Sequence, residues 1–124
     1  MRNKQALIDN GFSKFSAPAK LNLFLRIINK RSDGYHNLQS VFQLINLQDD
    51  VFIKIRHQDT QINVTNSSLA IKPENDLAFR AAHLMLSNQK LGADIYVNKD
   101  IPIGAGLGGG SSNAATVMMA INKL

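Results

Sequence analysis

The sequence has no cysteine, no tryptophan and no apolar run of membrane-spanning length. Without cysteine there is no disulfide, no thiolate nucleophile and no cysteine-based zinc site. A transmembrane helix needs about 20 consecutive apolar residues, and none occurs. The opening M-R-N-K-Q-A-L-I-D-N-G lacks the apolar centre of a signal peptide. These absences point to a protein of the cytoplasm, with no membrane partner. Aromatic residues are scarce, so a core must rest on Leu, Ile, Val, Ala and Met. The formal charge is +5, yet the Lys and Arg residues are spread along the chain and form no block. That distribution reads as solvated surface and argues against a nucleic-acid partner, while leaving an anionic nucleotide open. The three histidines, His36, His57 and His83, lack zinc-ligand spacing. At 124 residues, with no repeat, linker or low-complexity tract, the sequence supports one small domain.

The first ten or so residues read as an irregular lead-in. From residue 20, Leu21, Leu23, Leu25 and Ile27 alternate with Lys20, Asn22, Phe24 and Arg26. A period of two predicts a strand with one buried face. Ser32-Asp33-Gly34 carries turn chemistry. Further strands are expected over 38–45, 51–56 and 61–65, with Asp49-Asp50 as a turn into the third strand. Asn75 or Asp76 then caps a helix bearing Leu77, Ala81, Leu84 and Met85. A strand over 93–98 and a last helix, with Ala114, Val117, Met118, Ile121 and Leu124 on one face, complete the order. The expected class is α+β, a mixed and largely antiparallel sheet with helices packed on one face. Leu124 is an apolar helical residue with no cap after it, which suggests a longer protein.

Between the strand and the last helix lies P-I-G-A-G-L-G-G-G-S-S-N-A-A, residues 102–115, with glycines at 104, 106, 108, 109 and 110. Glycine permits positive φ and lets backbone N–H groups approach an oxyanion closely. Ser111, Ser112 or Asn113 can cap the helix, whose first N–H groups and dipole suit a phosphate. A flexible surface loop is the plainer alternative, disfavoured by the apolar elements on both sides. Gly104, Gly106 and Gly109 also match G-x-G-x-x-G, but no acidic residue follows Asp100, as a dinucleotide site requires. Nor is this a Walker A loop, because Gly110 stands where lysine belongs.

A phosphate loop without its own lysine needs charge from elsewhere. Lys20 and Asn22, two residues apart, share one strand face and suit a phosphoryl group or a hydroxyl; from periodicity alone a solvated strand face is the favoured alternative. Tyr35 and His36, after the Asp33-Gly34 turn, suit a heterocyclic base, or form a partly buried turn pair.

The 102–115 run resembles the ATP-binding motif of the GHMP kinases, which include galactokinase, homoserine kinase and mevalonate kinase. S-A-P-A-K-L-N-L-F-L at 16–25 and R-S-D-G-Y-H-N-L-Q-S at 31–40 are similar to bacterial and plastid members acting on 4-diphosphocytidyl-2-C-methyl-D-erythritol in non-mevalonate (MEP) isoprenoid biosynthesis. The resemblance implies ATP as co-substrate, with Mg2+ accompanying it, and transfer to the 2-hydroxyl of that small molecule. It implies Lys20 as the catalytic lysine and Asn22 as a substrate contact. Tyr35 and His36 would hold the cytidine. Pro102, Ile103, Gly104, Ala105, Gly106, Leu107, Gly108, Gly109, Gly110, Ser111 and Ser112 would wrap the ATP phosphates. Residues 1–124 would form the ATP-binding N-terminal domain without the C-terminal domain, and the family's aspartate base would lie beyond the loop. A non-catalytic nucleotide-binding fragment and another GHMP-family kinase are the alternatives.

Overall fold

The computed structural model describes residues 3–34, 36–68 and 71–124, with the side chains of 24–27, 36–40 and 73 outside that description. The chain runs α1 (Lys4–Asp9), β1 (Ser13–Lys30), β2 (His36–Arg56), β3 (Ile62–Asn66), a 3-10 turn (Pro73–Asn75), α2 (Leu77–Leu86), β4 (Gly92–Asn98) and α3 (Gly109–Lys123). The strands form one mixed sheet in the order β1-β2-β4-β3. β1 and β4 pair antiparallel to β2, and β3 pairs parallel to β4. The parallel pair needs a crossover, which α2 supplies. Asp76 starts α2 by accepting the Ala78 amide at 2.9 Å, one of the two expected caps.

Alternation on the short strands builds the core. Val51, Ile53, Ala93, Ile95 and Val97 turn one face of the sheet to α2 and α3, where Ala78, Ala81, Ala82, Leu86, Val117 and Ala120 meet them. The intervening Phe52 points to the opposite face and packs with Leu7 and Phe12. The expected lead-in is therefore partly a helix: Asn3 caps α1 through the Gln5 amide, and Leu7 is fully buried. Helices thus lie on both faces, the two long ones on one.

Three other expectations change. Asp49-Asp50 is no turn, because both residues continue the ladder opposite Ala17 and Ser16, fusing two expected strands into one β2. The apolar face expected on β1 is not buried along its length: Leu21 and Leu23 are exposed, whereas Ala17 and Ala19 are buried. The cause is topological. β4 pairs with β2 only from Asp50 to Arg56, so beyond Lys20 the β1–β2 ladder is a two-stranded arm with no third strand among the described residues. Finally, α2 buries Ala78, Ala81, Ala82 and Leu86 and exposes Leu77 and Leu84, while α3 buries Asn113 and Thr116 with Val117 and Ala120. Small residues let these helices approach the sheet, and the larger apolar ones stand at the rim. Among the described residues no helix is long and apolar enough to cross a membrane.

Candidate functional site

The glycine-rich run leaves β4 and winds into α3 through alternating backbone handedness. Gly104, Gly106 and Gly108 have φ of 75, 75 and 70°, a left-handed region costly to any other L-residue. Alternation of this kind turns successive N–H groups inward to form an anion-binding concavity. Residues 102–110, with Ile71 and Lys99, line a hollow of about 100 Å³. A second hollow of about 270 Å³, lined by Ser67, Ser68 and residues 99–103, adjoins it.

The start of α3 differs from the expected cap. Gly108 occupies the N-cap with no side-chain bond, and Ser112 N donates to Gly108 O at 2.9 Å as the first helical turn. The amides of 109–111 precede that bond and have no intrahelical acceptor. No serine caps them. They present a positive helix terminus beside the hollow, the arrangement that favours an anion.

Lys20 comes to this terminus from the other side. Its amide donates to Leu107 O at 2.9 Å, bridging β1 to the loop. Its aliphatic stem lies against Gly108: a Cβ at that glycine would stand 2.9 Å from Lys20 Cε and 3.2 Å from Cγ. The β1–β2 register shifts between Pro18 and Lys20, and an irregularity of this kind re-aims the neighbouring side chain. Among the described residues no carboxylate pairs with Lys20. Asn22 follows on the same strand face and is exposed. Tyr35 lies outside the described residues, as does the side chain of His36. The His36 backbone pairs with Lys30 at the end of the ladder, so the arm separates it from Lys20.

The pattern in the sequence missed the residues beneath the loop. Asp49 is fully buried. One carboxylate oxygen accepts the amides of Asp100 and Ile101 at 2.7 and 2.8 Å. The other accepts Lys99 Nζ at 2.6 Å and Asn113 Nδ2 at 2.9 Å. Lys99 Nζ also donates to Asn113 Oδ1 at 3.0 Å. Burial pushes the Asp49 carboxyl up, but the hydrogen bonds from Ile101, Lys99, Asn113 and Asp100 outweigh it and hold the group below the usual carboxylate range. The sequence signal was faint: two adjacent aspartates before an apolar strand. Among the described residues no three His, Asp or Glu side chains gather as a metal site.

Residues 76–124 match the family described as GHMP kinases N terminal domain. The chain is similar to the 4-diphosphocytidyl-2-C-methyl-D-erythritol kinase of Neisseria meningitidis serogroup B, 50% identical over 118 residues, which is 94% of this chain and 42% of that protein. The protein of that name from Xylella fastidiosa is 49% identical over 117 residues, 92% of this chain and 39% of the relative. Among solved structures, a 4-(cytidine 5'-diphospho)-2C-methyl-D-erythritol kinase superposes with a TM-score of 0.73 at 37% identity, covering 90% of this chain and 40% of the other. A mevalonate kinase shares the fold, with a TM-score of 0.64 at 19% identity. The chain thus spans about two fifths of the length of the curated relatives it matches.

Proposed function

We propose, for a chain that belongs to the GHMP kinase family, that its glycine-rich loop holds the phosphates of ATP and that Lys20 serves transfer of the terminal phosphoryl group to an alcohol. The acceptor is the 2-hydroxyl of 4-diphosphocytidyl-2-C-methyl-D-erythritol, a small molecule of non-mevalonate isoprenoid biosynthesis. The relatives' names support that choice, as do the segments around Lys20 and His36. One observation carries the reading: the Lys20 stem lies on Gly108 while its amide binds Leu107 O. A cation with no carboxylate partner among the described residues thereby stands at the helix terminus offering N–H groups.

Chemically, the acceptor hydroxyl gives its proton to the aspartate base that the family resemblance implies, its oxygen attacks the terminal phosphorus in line, the bond to the bridging oxygen breaks, and ADP leaves. The demand on the protein is positioning and charge stabilisation. Amides of 104–111 bind phosphate oxygens, and the Lys20 ammonium draws the transferring group's negative charge and orients the hydroxyl. Asn22 contacts the acceptor on the same strand face, and Tyr35 and His36 hold its cytidine by stacking and hydrogen bonding. The hollow beside Ser67 and Ser68 offers room for the nucleoside end of ATP. Mg2+ accompanying ATP would screen phosphate charge; the described residues form no carboxylate cluster to hold it, and no step here runs through it.

The test separates binding from transfer. Titration with ATP is expected to shift the amide resonances of Lys20 and of residues 104–112. In a full-length kinase carrying this segment, Lys20→Ala is expected to lower phosphoryl transfer, read as ADP release with the cytidyl acceptor, by a factor of about 1,000, while ATP affinity changes by less than about threefold. A loss confined to ATP affinity would overturn the role given to Lys20.

A further inference from the structure

Both ends of the glycine-rich loop are fastened to one carboxylate. Asp49 binds the amides of Asp100 and Ile101 where the chain leaves β4, and binds the Asn113 side chain one turn into α3. Lys99, with a side chain only 6% exposed, closes the cluster by pairing with Asp49 and donating to Asn113. Its ammonium sits under the first turn of α3, 3.0 Å from where a Cβ on Gly109 would lie. Five glycines leave the loop little intrinsic preference for a single shape, so its order has to come from its attachments. Among the described residues these include the Asp49 cluster, the bond from Lys99 N to Ser67 Oγ at 2.8 Å and the bond from Lys20 N to Leu107 O.

We infer that Asp49 is the positioning residue of the phosphate loop: through Lys99, Asn113 and the amides of Asp100 and Ile101 it sets the spacing between the β4 exit and the α3 N-terminus, and so the geometry offered to phosphate. Asp49 is fully buried beneath the loop. Its effect reaches the ligand through the loop alone. The inference about loop order stands on these hydrogen bonds; its consequence for phosphate rests on the function proposed above.

Asp49→Asn keeps the shape and removes the charge, and the test reads hydrogen exchange without ligand, followed by binding of ATP and of adenosine. The amides of Lys20 and Ser112 report on the loop without bonding to Asp49. They are expected to exchange about tenfold faster than any common increase that lower global stability gives the core amides of Ile53, Ile95 and Ala82. ATP affinity is expected to fall about tenfold, with adenosine affinity unaltered. Exchange rising evenly over the whole chain, or staying unchanged at Lys20 and Ser112, overturns the inference by reducing Asp49 to a core stabiliser or less. Faster exchange at those two amides, in a protein that never binds ATP, upholds the positioning and overturns the kinase reading. Should Asp49→Asn fail to fold, Asn113→Ala removes only the tie to α3. It is expected to give the same pattern at about a third of the size, and no selective change at Lys20 overturns the inference.

Discussion

β2 passes through two different environments along its length. From Asp49 to Ile53 every residue is buried, with strands on both sides from Asp50 onward and helices over both faces. From Val41 to Leu44 every residue is exposed, Phe42 and Leu44 included, because there only β1 pairs with it. The two stretches are similarly apolar. The difference teaches that alternation specifies a strand but not what covers it: a face is buried only where another layer exists to meet it. The candidate site stands at the boundary between these environments, with Asp49 on the packed side and Lys20 where the arm begins. The sharpest way to break the comparison is to cut one apolar side chain in the packed region. Ile95→Ala empties a fully buried position in the central pair with Ile53. It is expected to cost about 2–5 kcal/mol, measured as a lowered urea midpoint at unchanged slope.

Acid tests the boundary itself. Asp49 has its folded pKa held below the usual range, so its contribution is fully present above the unfolded value of about 3.9. It is lost as pH falls through the folded value. Stability of the native protein is expected to fall steeply below about pH 4. In Asp49→Asn that acid limb flattens, and stability at neutral pH is lower, since Lys99 is then buried without its counter-charge. Asp59 is also held low, by Arg56, but it is exposed and solvent screens its share. An acid limb in Asp49→Asn as steep as in the native protein would assign the effect to other carboxylates.

Much of this boundary was legible from residues alone. The glycine run, the strand before it and the helix after it were readable, because glycine spacing and apolar periodicity are local signals. Lys20 is a candidate for the missing cation only because the glycine run lacks a lysine; its packing on Gly108 is a tertiary fact. Asp49 was not readable. Its partners stand 50 to 64 residues away, and no local pattern distinguishes an aspartate closing a ladder from one opening a turn. The exposed face of β1 was misread for the same reason, since the end of β4 decides where the third strand stops. Helix faces were misread by about one residue, because Ala78, Ala82 and Asn113 gain burial from closeness to the sheet rather than from size.

Smaller effects are expected within the loop, where two glycines of similar φ sit in different surroundings. Gly108→Ala meets the left-handed penalty of about 1–2 kcal/mol, and its new methyl would press on the Lys20 stem. Gly104→Ala meets the same penalty with nothing within 4 Å. The two variants are expected to lose similar stability, while only Gly108→Ala displaces Lys20 and lowers transfer beyond what weaker ATP binding explains. Equal losses of transfer would mean that the loop acts through its backbone shape alone.

The smallest expected change lies out on the arm and sharpens the comparison most directly. Leu44 pairs with Lys20 across the ladder and is 59% exposed, whereas Ile95 is fully buried. Leu44→Thr keeps β-propensity, removes little buried area and leaves the backbone ladder intact. Its expected effect on unfolding is within about 0.5 kcal/mol, against the much larger loss for Ile95→Ala. A shift in urea midpoint comparable to that of Ile95→Ala would mean that the arm's apolar face is covered in solution. Size-exclusion chromatography at increasing protein concentration would then identify a second copy of the chain as the cover, since only self-association depends on that concentration.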